Sequence, residues 1–295
     1  MLNLCHGSIT PCNYQLMILA ENRYGKQRVR VLKVFRTPDR HAVKELTVSC
    51  LLHGEFAAPH YGPDNSPVVP TDTVKNTIHV LAKDLLTEDS EAFALQISEH
   101  FLIKYAHVTG VDVDLSEQVW QRMQIGGQPH AHSFVDRGQG HPTVSVHRTR
   151  DRVVISSGIT GLLVMKTTES GFAGYPKCDF TTLPETADRI MATSIDASWT
   201  HTIPATAGPA ANAAVLEAIL RIYATTWSPS VQRTLFQMGE AALEAVPGLS
   251  HLNFKLPNKH YLPIDLSPFG RENAGEVFLP TDEPHGQIEA IVRRG

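Results

Sequence analysis

One order of elements can be read twice along this chain, and that repeat limits the available folds more than any other feature. Residues 29–35 and 45–52 are rich in Val, Leu and Thr and flank a polar turn at Pro38-Asp39-Arg40, the pattern of a β-hairpin. A helix is expected over about 73–86, with Thr71 or Asp72 as its N-cap. A second is expected over about 90–105, where Phe93, Ile97 and Phe101 recur on one face. A long strand over 107–123, a Gly126-Gly127 turn and a strand near 132–135 complete the first block. The second block repeats the order. Residues 143–148 and 153–167 form a hairpin, 189–199 a strand, 210–226 and 230–245 two helices, and 251–256 and 276–279 closing strands. The repeat predicts an α+β chain of two tandem domains over 21–140 and 141–295, joined near 138–142, with 1–20 as a flexible N-terminal extension. An antiparallel sheet with helices on one face leaves its other face to be buried. With so few strands in each half, closing such a sheet into a barrel takes more than one copy, so oligomerisation is expected from the fold alone.

Composition narrows the function. The chain has 295 residues, 42% hydrophobic and 19% charged, which suits a globular protein with a substantial core. Its net charge of −4 and scattered basic residues argue against a nucleic-acid partner. The apolar run at 16–20 is too short to span a membrane and lacks a basic segment before it, so neither a membrane anchor nor a signal peptide is expected. Cys5, Cys12, Cys50 and Cys178 show no metal-binding spacing and read as free thiols in a reducing cytoplasm. The terminal Arg293-Arg294-Gly295 is not a peroxisomal address, which adds to the cytoplasmic expectation.

The densest chemistry is in Leu256-Pro257-Asn258-Lys259-His260-Tyr261, expected at a strand end. Alternation would turn Asn258 and His260 to one face and Lys259 to the other, giving an amide and an imidazole side by side. Five further places stand out: Tyr24-Gly25-Lys26, Thr71-Asp72, the glycine-bracketed loop Gly171-Phe172-Ala173-Gly174-Tyr175, Asp188-Arg189 and Val231-Gln232. Taken singly, each has a plainer reading. Lys26 could be solvated, Thr71 a helix cap, Phe172 core, Arg189 an ion-pair partner of Asp188 or Glu185, and Gln232 an exposed residue near a helix start.

Together with Asp64-Asn65-Ser66, Pro129-His130-Ala131-His132-Ser133-Phe134 and Phe180-Thr181-Thr182-Leu183, these motifs occur in an order that resembles the urate oxidase (uricase) family over about residues 22–292. The resemblance implies homotetramers of tandem T-fold domains whose sheets assemble into a β-barrel tunnel, with active sites at subunit interfaces and no metal or other cofactor. It implies that urate reacts with dioxygen and water to give 5-hydroxyisourate and hydrogen peroxide. By the same resemblance, Arg189 and Gln232 grip opposite edges of urate, Phe172 stacks on the ring, and the backbone N–H groups of Asp72 and Val231 make two more contacts. Lys26, Thr71 and His260 form a proton relay, and Asn258 holds dioxygen or water. Lys26 and Thr71 would come from one subunit, and Arg189, Gln232 and Phe172 from its neighbour.

The residue types suit that chemistry in their own right. A planar anion with alternating carbonyl and N–H edges is matched by a guanidinium fork, a glutamine amide and a phenyl face. An electron-rich purine, once deprotonated, needs only to be held against dioxygen and relieved of protons. Two features depart or compete. Ala173 follows the stacking Phe172, where the family often has Trp. His130 and His132 share a strand face and are the elements of a metal site, so a zinc-dependent pterin-type enzyme is the competing reading, beside a non-catalytic purine-binding protein.

Overall fold

In the first hairpin, β1 (Tyr24–Arg36) pairs with β2 (His41–Gly54), and Leu46, Val48, Cys50 and Leu52 of β2 turn inward at every second position. That two-residue period gives one apolar face, and the helices supply its cover. After a single turn, α1 (Ala58–Tyr61), come α2 (Thr71–Leu85), which buries Val74, Ile78 and Ala82, and α3 (Ser90–Lys104), which buries Phe93, Ala94, Ile97 and Phe101. The computed structural model describes residues 18–295; most of the expected N-terminal extension, with Cys5 and Cys12, lies outside the described residues.

The remaining elements are β3 (Val108–Gln118), β4 (Gln121–Ile125), β5 (Gln128–Val135), β6 (His141–Thr149), β7 (Val153–Lys166), β8 (Met191–His201), α4 (Pro209–Thr225), α5 (Val231–Ala245), β9 (Leu249–Pro263) and β10 (Phe278–Arg293). Eight strands form one antiparallel sheet in the order β1-β2-β3-β6-β7-β8-β9-β10, while β4 and β5 form a separate ribbon. The α+β expectation of antiparallel sheet with helices on one face holds.

Two apolar clusters lie between sheet and helices. One joins β1–β3, α2, α3 and β6 and ends with Ile155 of β7; the other begins with Ile159 of β7 and joins β8–β10, α4 and α5. The buried Val144 and Val146 of β6 belong to the first cluster, so the cores part within β7, later in the chain than the expected boundary at 140/141. A polar joint crosses the divide. Glu91 of α3, 2% exposed, accepts from Ser157 Oγ of β7 (2.5 Å) and Asn212 Nδ2 of α4 (2.6 Å), and Asn212 Oδ1 accepts from Trp199 Nε1 (2.9 Å).

Several expectations about single elements need correction. The long strand over 107–123 is broken at Val119-Trp120, where the chain leaves the sheet and the indole N–H binds Glu45 Oε2 (2.8 Å). The N-cap of α2 is Pro70, whose carbonyl accepts from Val74 N–H (3.1 Å); Thr71 is already helical and caps nothing. The last strand is far longer than 276–279. As an edge strand exposed along most of its length, β10 has little apolar alternation to announce it.

Candidate active site

Each half of the molecule assembles part of the expected site. In the second half, a loop between β7 and β8 is stitched to the start of α5. Ser228 N–H donates to Glu169 O (2.9 Å), and Gly171 N–H donates to Ser228 O (2.8 Å). Phe172 exchanges two backbone hydrogen bonds with Thr186, at 2.8 and 3.0 Å. A side chain at Gly171 would put its Cβ 3.1 Å from Thr186 O and 3.2 Å from Ala187 O, so only a glycine sits there without crowding. These bonds bring Phe172, the stretch before Arg189, and the first turn of α5 with Val231 and Gln232 into one neighbourhood. Ser230 caps α5 by accepting from Arg233 N–H (3.2 Å). The N–H of Val231, in the first turn, has no intrahelical acceptor to use.

Arg189 precedes β8, short of the strand start expected there. Its guanidinium carbon lies 5.4 Å from the Phe172 ring centroid, and Tyr175 stacks on the same ring at 4.8 Å. The carboxylates that could have neutralised it are engaged elsewhere. Asp188 accepts from Thr168 Oγ1 (2.9 and 3.1 Å), and Glu185 pairs with Lys177 (3.2 Å). Among the described residues Arg189 has no ion-pair partner; its Nε is buried without a hydrogen bond, and burial pushes its pKa down. A cavity of about 650 Å³ opens beside it, bordered by Phe172, Arg189, Asn258, His260, Tyr261 and Phe278.

Asn258 and His260 reach this cavity from the interior of β9, not from a strand end. Lys259 borders it too, so alternation does not separate the three as expected; its ammonium is held by Asp282 Oδ1 at 2.5 Å. The β9–β10 register shifts between Thr281 and Gly286, opposite this stretch, and such a bulge re-aims side chains.

The first half carries Lys26, Thr71 and Asp72. Gly25 is required because a Cβ there would lie 2.0 Å from Cys50 O. Tyr24 packs edge-on against Phe56 (4.7 Å), and its hydroxyl accepts from Val69 N–H (2.6 Å), which ties the start of β1 to the segment leading into α2. Thr71 and Asp72 are exposed in the first helical turn. Hydrogen bonding from Lys75 (2.5 Å) does most to hold the Asp72 carboxyl below its usual pKa, and Lys26 adds to the effect.

A single chain does not unite the two halves. Lys26 lies on β1 at one sheet edge and His260 on β9 beside the other edge, about 30 Å apart along the sheet at ordinary interstrand spacing. Phe278, which borders the cavity, was missed as a site residue although it falls in the closing strand expected near 276–279, because nothing local marks it as lining a site. His130 and His132 have rings 4.7 Å apart, yet the group of possible metal ligands among the described residues is elsewhere, at His53, Asp112 and His147.

Comparison with known proteins agrees with these motifs. The uricase family model matches residues 22–147 and 155–289. The uricase of Cyberlindnera jadinii is 40% identical, covering 94% of this chain and 97% of its own length. That of Dictyostelium discoideum is also 40% identical, with 94% and 97% covered. The crystal structure of the uricase from Arthrobacter globiformis superposes with a TM-score of 0.87 at 37% identity, over 95% of this chain and 96% of that one. With a family model covering most of its length and relatives this similar end to end, the chain belongs to the uricase family.

Proposed function

We propose that the chain oxidises urate with dioxygen and water to 5-hydroxyisourate and hydrogen peroxide, without metal or flavin, at sites shared between subunits of a homotetramer. The observation that carries this reading is Arg189, a half-buried cation with no carboxylate partner among the described residues, set over an aromatic ring at a cavity. Such a cation is costly unless a ligand anion completes it. Arg189 and Gln232 hold the two edges of urate, Phe172 stacks on its plane, and the N–H groups of Val231 and Asp72 bind further edge atoms. Lys26, Thr71 and His260 relay protons away from urate, and Asn258 seats dioxygen. Two electrons pass from urate to dioxygen, which takes up two protons to become peroxide. Water then adds to the oxidised ring and leaves it as the 5-hydroxy product.

The separation of Lys26 and His260 on opposite sides of the open sheet favours a site completed by a second copy, the β1 edge of one facing the β10 edge of the other. We assign the protein to the cytoplasm; Cys50 and Cys178 are free thiols, and no helix among the described residues is long and apolar enough to cross a membrane.

Loss of urate's near-ultraviolet absorbance should run in step with oxygen uptake and persist in excess chelator. Chelator-sensitive turnover would favour the zinc reading instead. Lys26→Met should cut turnover about 100-fold or more while an unreactive urate analogue still binds. Full activity in that variant removes Lys26 from the relay.

A further inference from the structure

Three donors on neighbouring strands meet on the helix-free face of the first half of the sheet. His53 of β2 aims Nε2 at Asp112 Oδ2 (2.7 Å), and His147 of β6 aims Nδ1 at Asp112 Oδ1 (2.6 Å). Asp112 and His147 are register partners, and His53 lies opposite Gly110 on the same strand as Asp112. Their sequence neighbours Leu52, Val111, Val113 and Val146 are buried on the helix side, so pleating fixes all three donors on the other face. The imidazoles stand 5.7 Å apart and nearly perpendicular, and one ligand atom from each of the three residues lies within 4.8 Å of the others. A cavity of about 1010 Å³ opens beside His53, bordered also by Glu21, Asn22, Arg23 and His60. Asn22 Oδ1, on that border, is buried with no hydrogen-bond partner among the described residues.

We propose that His53, Asp112 and His147 bind a divalent transition-metal ion of the zinc class, with a further coordination position open toward this cavity. Two imidazoles and one carboxylate are a donor set such ions favour. At metal–ligand bonds of about 2.1 Å, tetrahedral ligand atoms stand roughly 3.4 Å apart, so an imidazole now 2.6 or 2.7 Å from the carboxylate must draw back by about 0.7–0.8 Å. The ion replaces the protons now shared between ring nitrogens and carboxylate. Arg23 is its competitor: its guanidinium lies 2.9 Å from Asp112 Oδ2, but the side chain is 58% exposed and free to turn away. This centre uses β2, β3 and β6, apart from the cavity at Phe172 and Arg189. It clamps the first half of the sheet and takes no part in urate chemistry.

The test uses the full chain, stripped with chelator and titrated with cobalt(II), then zinc(II). Expected are one tightly held ion per chain, ligand-field absorption of low-symmetry cobalt that zinc abolishes, and a rise in Tm with either ion. His147→Ala and Asp112→Asn should each weaken binding at least about tenfold, since each removes or weakens a direct ligand. Arg23→Ala should tighten it several-fold by removing the competing cation, and His132→Ala should leave it unchanged. Unliganded Tm values show whether each variant folds. No ligand-field band, undiminished binding in His147→Ala, or loss of binding in His132→Ala would each overturn the proposal.

Discussion

At the scale of single residues, the family motifs turn out to be requirements of packing as much as of chemistry. Gly25 is glycine because Cys50 O leaves no room for a Cβ, and Lys26 follows from where that close approach puts the strand. Gly171 crowds the Thr186 and Ala187 carbonyls in the same way and so seats Phe172. Such constraints cannot be read from a sequence, since the contacting carbonyls lie on other segments. His201 supplies a residue-scale prediction. It is 4% exposed at the end of β8, with neither ring nitrogen hydrogen-bonded among the described residues, and burial holds its pKa below the usual value despite the opposing effect of Glu91. The unfolded chain therefore takes up this proton first as pH falls below about 6.5, and stability drops from there toward the lower folded pKa. The loss of Tm between pH 8 and about pH 5.5 should be smaller in His201→Leu than in the parent protein. An unchanged slope would remove His201 from the pH response.

At the scale of elements, strongly periodic segments were legible and the exposed edge strand β10 was so only at its start. Helices α3 and α5 and strands β2 and β8 announced themselves because each buries one face, which writes a period into the sequence. Strand β10 buries little, so only its start near 276–279 was legible, although it borders the candidate cavity through Phe278. The start of α2 was displaced because Pro70, not a polar side chain, occupies the cap. The Glu91 joint was invisible for a related reason: a buried carboxylate in a helix looks like any surface glutamate until its donors are known. Glu91→Ala would strand the Ser157 hydroxyl and the Asn212 amide in the interior. It should cost about 2–4 kcal/mol in denaturant unfolding, because buried donors lose their acceptor. A loss under about 0.5 kcal/mol would show that the joint contributes nothing to holding the halves together.

At the scale of the whole molecule, one continuous sheet carries the two groups of candidate site residues on its opposite margins. The family resemblance named the residues of both groups and implied that different subunits supply them, and the strand order gives the physical reason one chain holds them apart. Lys26, Thr71 and Asp72 gather near β1, while Phe172, Arg189, Asn258 and His260 gather near β9, and the proposed function draws on both groups through a second copy. Mixing two crippled chains measures this directly. Lys26→Met and Arg189→Gln each disable one half-site, and each homo-oligomer should be nearly inactive. When the two are co-expressed, every mixed pair contains one doubly damaged site and one intact site. Random pairing should then restore about a quarter of wild-type turnover, as expected for a two-fold interface. Recovery near that level is the result predicted here; mixed chains no more active than their parents would contradict a site shared between subunits.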